Sequence, residues 1–133
     1  WSSPAGGVGL RFDNLGTSRV QFFWNGVGDP WLTSSSTFTN TSSAQWMHIA
    51  LTREGNTFRL FVNGTLEASN TNTGSINFAH GGDTFIGWGP WDGTNGYLNA
   101  YLENLQVLKG VAKYTANFTP PTQTQGLTYQ AES

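Results

Sequence analysis

The chain has 133 residues, a length that suits one domain. Of these residues 37% are hydrophobic, 14% aromatic and 11% charged, and this share of aromatic residues excludes a chain disordered throughout. Six Lys and Arg against eight Asp and Glu give a formal charge of −2, and no basic run occurs, which excludes nucleic-acid binding driven by phosphates. The sequence holds no cysteine and no apolar stretch near the roughly 18 residues of a membrane span, so neither disulfides nor membrane insertion is expected.

Short alternating runs bounded by Gly, Asn, Asp and Pro predict an all-β chain, because hardly any stretch has the 3.6-residue period of an amphipathic helix. The predicted strands, in chain order, are residues 8–12, 19–24, 46–53, 57–62, 65–69, 75–78, 83–88 and 97–108. Several short strands at this spacing favour an antiparallel β-sandwich.

The clearest unit is a meander in the middle of the chain. Residues 54–56 join its first two strands and residues 63–64 join the second to the third, and both connections contain Gly and Asn, which accept positive φ. Alternation along the middle strand predicts that one face is buried, namely Phe58, Leu60 and Val62.

The last predicted strand changes phase between Leu102 and Leu105, which predicts a bulge near Glu103 and Asn104. Residues 109–116 hold the one predicted helical turn, and the prolines that follow end regular structure. We therefore expect a domain over residues 1–118 and an extended tail or linker over residues 119–133. The expected core is Trp46, Ile49, Leu51, Phe58, Leu60, Val62, Phe85, Leu102, Leu105 and Val107.

Two stretches resemble a known family. Residues 45–64, which contain QWMHIALTREGN and FRLFVNG, are similar to its Trp-x-His-Val-Ala hairpin and its Tyr-Val-Asn-Gly turn. Residues 100–121, which begin AYLENLQV, are similar to its closing strand and terminal turn. The chain thus resembles the concanavalin A-like lectin and glucanase superfamily, in particular the laminin-G-like jelly rolls of phage virion and bacterial surface proteins. The resemblance implies a jelly-roll sandwich, here expected to lack some N-terminal strands of the family.

Catalysis is not expected from this sequence. Glucanases of the superfamily need clustered carboxylates that act as nucleophile and acid at a fixed separation. The acidic residues here are isolated and lie mostly in predicted turns, so no enzyme and no catalytic residue is predicted.

Sugar recognition is the favoured alternative. Sugars stack their C–H faces on aromatic rings while amide, carboxylate and backbone groups bond the hydroxyls. Five aromatic and polar residues of this kind lie around one predicted strand end and loop, namely Trp88, Trp91, Asp92, Asn95 and Tyr97. These five and Trp31, which lies in an earlier predicted loop, are the candidate carbohydrate-binding residues. For Trp31 and Trp91 the competing interpretations are a buried loop anchor or a contact between subunits.

The same loop offers a second ligand. Asp92 and Asn95 supply oxygens suited to Ca²⁺, but one carboxylate is few for an ion that takes about six to eight oxygens, and Asp-Gly and Asn-Gly are also ordinary turn sequences. No other cofactor is expected.

The sequence thus predicts a non-catalytic adhesion module that binds a glycan or cell-surface polysaccharide. Its expected place is a virion, as a tail-fibre or capsid-surface domain, or a secreted bacterial protein. The alternative is a decoration, fibre or filament subunit whose exposed aromatic residues contact other protein chains.

Overall fold

A computed structural model describes residues 7–12, 18–24, 27–38, 46–76, 86–87 and 97–122. In these residues the chain forms two antiparallel sheets of three strands each and no helix. The strands are β1 (Val8–Phe12), β2 (Val20–Trp24), β3 (Gly28–Thr33), β4 (Ile49–Glu54), β5 (Thr57–Val62) and β6 (Thr65–Thr71). This architecture confirms the predicted all-β class and is consistent with part of a jelly-roll sandwich.

The first sheet has the order β1-β2-β3, with β2 in the centre and all five of its residues buried. The pairing of β2 with β3 is irregular between Phe22 and Trp24, and this irregularity allows the neighbouring residues Trp31 and Leu32 of β3 both to contact the core. β3 is not among the predicted strands, and it contains Pro30. An edge strand tolerates proline, since one side of its backbone needs no partner.

The second sheet has the order β4-β5-β6 and confirms the predicted meander. Gly55, with φ of 56°, lies in the first turn. Asn63 and Gly64, with φ of 50° and 79°, form the second, as expected for a two-residue hairpin loop. The first strand of the meander begins at Ile49, later than the predicted position 46.

The hydrophobic core lies between the two sheets. Phe58, Leu60 and Val62 face it from β5, which confirms the predicted alternation. The Phe58 ring stacks on Phe22 of the opposite sheet with a centroid distance of 6.0 Å. Ile49 and Leu51 are partly buried and pack against this core, as predicted.

Polar contacts connect the segment after β3 to both sheets. The buried Ser34 hydroxyl accepts a hydrogen bond from Val20 N at 3.0 Å and donates one to Ser36 O at 2.9 Å. Ser36 N and Oγ in turn donate to the Glu67 carboxylate of β6, the former at 2.9 Å. The Glu67 carboxylate of the second sheet thereby binds the segment that follows β3 of the first sheet.

The predicted strand over residues 97–108 is wrong. These residues form no strand, and Leu102, Leu105 and Val107, which were expected in the core, are 57%, 62% and 85% exposed. Asn104, at the expected bulge, has φ of 55°, a left-handed conformation that interrupts an extended chain.

Five further predictions fail or lie wholly or partly outside the described residues. Trp46 was expected in the core but is 56% exposed, because β4 begins only at Ile49. Residues 109–116 form no helical turn, and Gly110 has φ of 84°, outside the helical region. Of the predicted strands at 75–78 and 83–88, the described residues 75–76 and 86–87 are not in strands, and Phe85 lies outside the described residues.

Candidate functional site

Trp31, a predicted sugar contact, lies in β3 rather than in a loop. Its half-buried ring meets three core rings, with centroid distances of 6.0 Å to Phe22, 5.7 Å to Trp24 and 4.9 Å to Phe58. The interplanar angles of 66–87° describe edge-to-face packing typical of aromatic cores. The core therefore fixes this ring, and a ligand has access only to the part of it that the core leaves uncovered.

Of the two predicted site residues that the structure describes, Tyr97 is exposed, at 74%, and Trp31 is half-buried. The residue after it is held in place, because Leu98 N donates a hydrogen bond to Gly87 O at 2.7 Å. Gly87 itself has φ of 75°, a conformation that favours glycine and is typical of turns. Tyr97 thus stands next to a point where two separate parts of the chain are bonded to each other.

The remaining predicted site residues, Trp88, Trp91, Asp92 and Asn95, lie outside the described residues. In sequence they fall between Gly87 and Leu98, the two residues joined by that hydrogen bond. The assignment of these residues to sugar, and of Asp92 and Asn95 to Ca²⁺, stays a prediction. Within the described residues, no three His, Asp or Glu side chains are grouped as a metal site would require.

The acidic side chains of the second sheet have structural partners. Glu54 forms an ion pair with Arg59 across the β4–β5 hairpin, with an N–O distance of 3.1 Å. Glu67 accepts the hydrogen bonds from Ser36 described above. Among the residues that the structure describes, neither carboxylate belongs to a group of three or more acidic or histidine side chains.

A polar hollow lies at one end of the second sheet, lined by Asn56, Thr71, Asn72 and Thr73. Asn72 organises it, because its backbone N donates to Asn56 O at 2.8 Å and its side-chain oxygen accepts from the N of Gly74 at 2.7 Å. The side chains of the lining residues carry uncharged amide and hydroxyl groups of the kind that bond sugar hydroxyls. The sequence analysis did not single out this hollow, although its run of Asn and Thr was visible.

The outer face of the second sheet is covered by residues 113–118, which we call the C-terminal strap. Phe61 points to this face and is fully buried, with its ring centroid 5.4 Å from that of Phe118 and 6.4 Å from that of Tyr114. The rings of Tyr114 and Phe118 are parallel to within 5° and their centroids are 3.5 Å apart. The strap thus supplies an aromatic pair that covers the side of β5 facing away from the sandwich core.

Hydrogen bonds fix the strap in register. Tyr114 O accepts from the Thr52 hydroxyl at 2.7 Å, and the Asn117 side-chain oxygen accepts from Leu66 N at 2.8 Å. Phe118 N donates to Gly64 O at 2.9 Å. Strap residues therefore contact β4, the β5–β6 turn and β6.

His48 borders the strap, with ring centroids 5.9 Å from Tyr114 and 5.4 Å from Phe118. Burial of the imidazole, followed by the positive charge of Lys113, lowers the pKa of His48 below its usual 6.5. Its Nδ1 is buried and has no hydrogen-bond partner among the described residues. The neutral imidazole therefore fits this position better than the charged form.

Residues 101–111, which we call the exposed segment, connect the region of Tyr97 to the strap. Tyr101 and Val107 are each 85% exposed. Further apolar residues of the segment are also exposed, namely Leu102, Leu105, Leu108 and Val111. A concentration of exposed apolar side chains in one stretch marks a surface suited to binding another molecule.

Comparison with known proteins gives one match. The Laminin_G_3 family model, described as Concanavalin A-like lectin/glucanases superfamily, matches residues 2–113. No curated protein and no solved structure matches the chain. In the part of the chain that the structure describes, no helix has the length and apolar character of a membrane span.

Proposed function

The chain belongs to the Concanavalin A-like lectin/glucanases superfamily, and from this membership we propose that it is a non-catalytic, lectin-like module that binds carbohydrate. The proposed ligand is a glycan or cell-surface polysaccharide. The proposed setting is a virion, as a tail-fibre or capsid-surface domain, or a secreted bacterial protein. The proposed binding residues are those that the sequence analysis selected, namely Trp31, Trp88, Trp91, Asp92, Asn95 and Tyr97.

The observation that carries this proposal is the exposure of Tyr97. The residue is 74% exposed, and the backbone beside it is held by the hydrogen bond between Leu98 N and Gly87 O. An accessible aromatic ring on a fixed backbone can stack on a sugar with little loss of conformational entropy. In sequence, the candidates Trp88, Trp91, Asp92 and Asn95 lie between Gly87 and Leu98.

Two of the described acidic residues, Glu54 and Glu67, favour binding over hydrolysis. Glu54 is paired with Arg59, and Glu67 holds Ser36, so each of these carboxylates has a structural role. A glycosidase needs two carboxyl groups that face one glycosidic bond. This supports a binding role, and an assay for release of reducing sugar from β-glucans tests it.

A glycan array with the purified protein tests sugar binding. Tyr97→Ala should weaken the signal without changing the circular dichroism spectrum, because the lost ring is on the surface. Trp46→Ala is the matched control, since Trp46 is also an exposed aromatic residue, at 56%, but is not a proposed contact. Binding that is lost equally in both variants, or in neither, would contradict the assignment.

Calcium assistance is a separable part of this proposal. If Asp92 and Asn95 hold Ca²⁺ beside the sugar, a chelator should weaken glycan binding by the native protein but should not weaken binding by Asp92→Asn further. If the sugar is held by stacking alone, Asp92→Asn should retain most of the affinity and the chelator should have no effect.

A second candidate function is a structural one, in which the chain is a decoration, fibre or filament subunit. The exposed segment favours this function, because Tyr101 and Val107 are each 85% exposed and the buried centres of protein interfaces are rich in apolar side chains. Light scattering across a concentration series tests this function. A molar mass that stays at the monomer value at all concentrations would contradict self-assembly.

A further inference from the structure

The exposed segment has a self-complementary sequence. When two copies run antiparallel with Gln106 of each copy at the two-fold axis, every residue before Gln106 faces the residue equally far after it in the other copy. Three facing pairs then lie on one face, namely Leu105 with Val107, Glu103 with Lys109, and Tyr101 with Val111. These are an aliphatic pair, an opposite-charge pair and an aromatic–β-branched pair, each a stabilising cross-strand combination.

This match depends on the register. A shift of one residue places Glu103 opposite Leu108 and Tyr101 opposite Gly110, which removes both the charge pair and the aromatic pair. Parallel pairing in register would place each charge opposite an identical charge. Charge complementarity therefore favours one antiparallel arrangement.

The structure leaves the segment ready for such pairing. Its residues form no strand, and all four apolar members of the matched face, Tyr101, Leu105, Val107 and Val111, are at least 61% exposed. Asn104 and Gly110 have positive φ and must become extended, a change that Gly makes freely and Asn more readily than most residues. The exposed Gln106 side chain accepts a hydrogen bond from Lys113 at 3.1 Å, which solvent can replace.

We propose that residues 101–111 pair antiparallel with the same residues of a second copy of this chain, with the two-fold axis at Gln106. The partner is thus this protein itself. The proposal rests on the second candidate function in its general form, protein association, and is independent of sugar binding.

Single cysteines test the register, because the chain has no native cysteine. Facing residues of an antiparallel pair have Cα atoms about 4.5–5.5 Å apart, within the disulfide range of about 4.4–6.8 Å. Gln106→Cys should therefore give a disulfide-linked dimer as the main oxidation product. Leu108→Cys is the matched control, since its counterpart lies four residues along the strand, about 13 Å away, and should give only background cross-linking.

Charge reversal tests the same register without cysteine. Glu103→Lys places like charges opposite each other at two symmetry-related positions and should raise the dimer Kd by about tenfold, equivalent to about 1.4 kcal/mol. Lys109→Glu should raise the dimer Kd by a similar factor. The double variant Glu103→Lys/Lys109→Glu restores opposite charges and should return the Kd to the native value, as measured by sedimentation equilibrium.

Several results would overturn the proposal: equal cross-linking of Gln106→Cys and Leu108→Cys, a native protein that stays monomeric to about 1 mM, or no rescue by the double variant. Its failure is distinguishable from failure of the sugar site. Glycan binding by Glu103→Lys, measured below the dimer Kd of this variant, reports on the sugar site alone, since Glu103 and Lys109 are not proposed sugar contacts.

Discussion

Phe61→Ala removes the side chain on which the C-terminal strap rests. The Phe61 ring is fully buried and meets Tyr114 and Phe118 on the face of β5 that points away from the core. Truncation of a buried phenylalanine costs about 3–5 kcal/mol, and loss of two edge-to-face aromatic contacts places the expected cost in the upper half of this range, about 4 kcal/mol. With a urea m-value of about 2 kcal/mol/M, the unfolding midpoint should fall by about 2 M.

Leu60→Ala is the control for this experiment. Leu60 is also fully buried and adjacent in sequence, but it faces the core between the sheets. It should cost about 2–5 kcal/mol without selective release of the strap. Hydrogen exchange at the amide of Phe118, which donates a hydrogen bond to Gly64 O, distinguishes the effect of Phe61→Ala from that of Leu60→Ala.

In Phe61→Ala this amide should exchange by local opening, well before the sheets unfold, whereas in Leu60→Ala its protection should follow global stability. A cost below about 1 kcal/mol for Phe61→Ala, or a Phe118 amide that stays as protected as in the native protein, would refute the role given to the strap.

Substitutions at three further positions test the strap. Asn117→Ala removes the acceptor of Leu66 N and should cost about 1 kcal/mol in urea unfolding, whereas Asn117→Asp, which keeps an acceptor oxygen, should cost less. Gly64→Ala should cost more than about 1 kcal/mol and loosen the strap, because the residue has φ of 79° and a Cβ there would clash with Phe118 O. An unchanged unfolding midpoint would contradict this. The pKa of His48 is lowered in the folded state, so the unfolded chain binds more protons than the folded protein as the pH falls below 6.5. The stability contributed by neutral His48 is therefore complete above pH 6.5. It is lost as the pH falls towards the folded pKa. His48→Gln should flatten that part of the pH profile of the urea midpoint, and an unaltered profile would show that another group is responsible.

The meander was predictable because its information is local. The Asn63-Gly64 turn and the alternation through Phe58 and Leu60 specify two hairpins without reference to the rest of the chain. The edge strand β3 was not predictable in this way. Pro30 argues against a strand in sequence, and only its position at the sheet edge removes that objection.

The strap was missed because its structure is determined by distant contacts. Tyr114 and Phe118 are four residues apart, which locally suggests a helical turn, yet their partners are Phe61 and the β5–β6 turn. The sequence analysis identified the two faces of β5 but gave Phe61 no covering partner. The opposite error occurred over residues 97–108, where alternation predicted a buried strand but described residues 101–108 are all exposed.

The candidate sugar site was predictable only as residue types in a pattern. Tyr97 is exposed and its role stays a prediction, whereas the ring of Trp31 is held by three core aromatic rings. A turn-rich sequence around Gly and Asp does not reveal which aromatic residue the core will use, because this depends on the irregular pairing of β2 with β3.

Calorimetric titration of the native protein and of Trp91→Ala with the glycan selected on the array tests the central proposal, carbohydrate binding, most directly. The native protein should bind, and Trp91→Ala should lose about 1–3 kcal/mol of binding free energy, by analogy with aromatic stacking on planar bases, while its unfolding midpoint is unchanged. Absence of binding by the native protein, or equal binding by the folded variant, would contradict the proposed sugar site. A variant that binds normally but no longer self-associates would instead assign Trp91 to a protein interface.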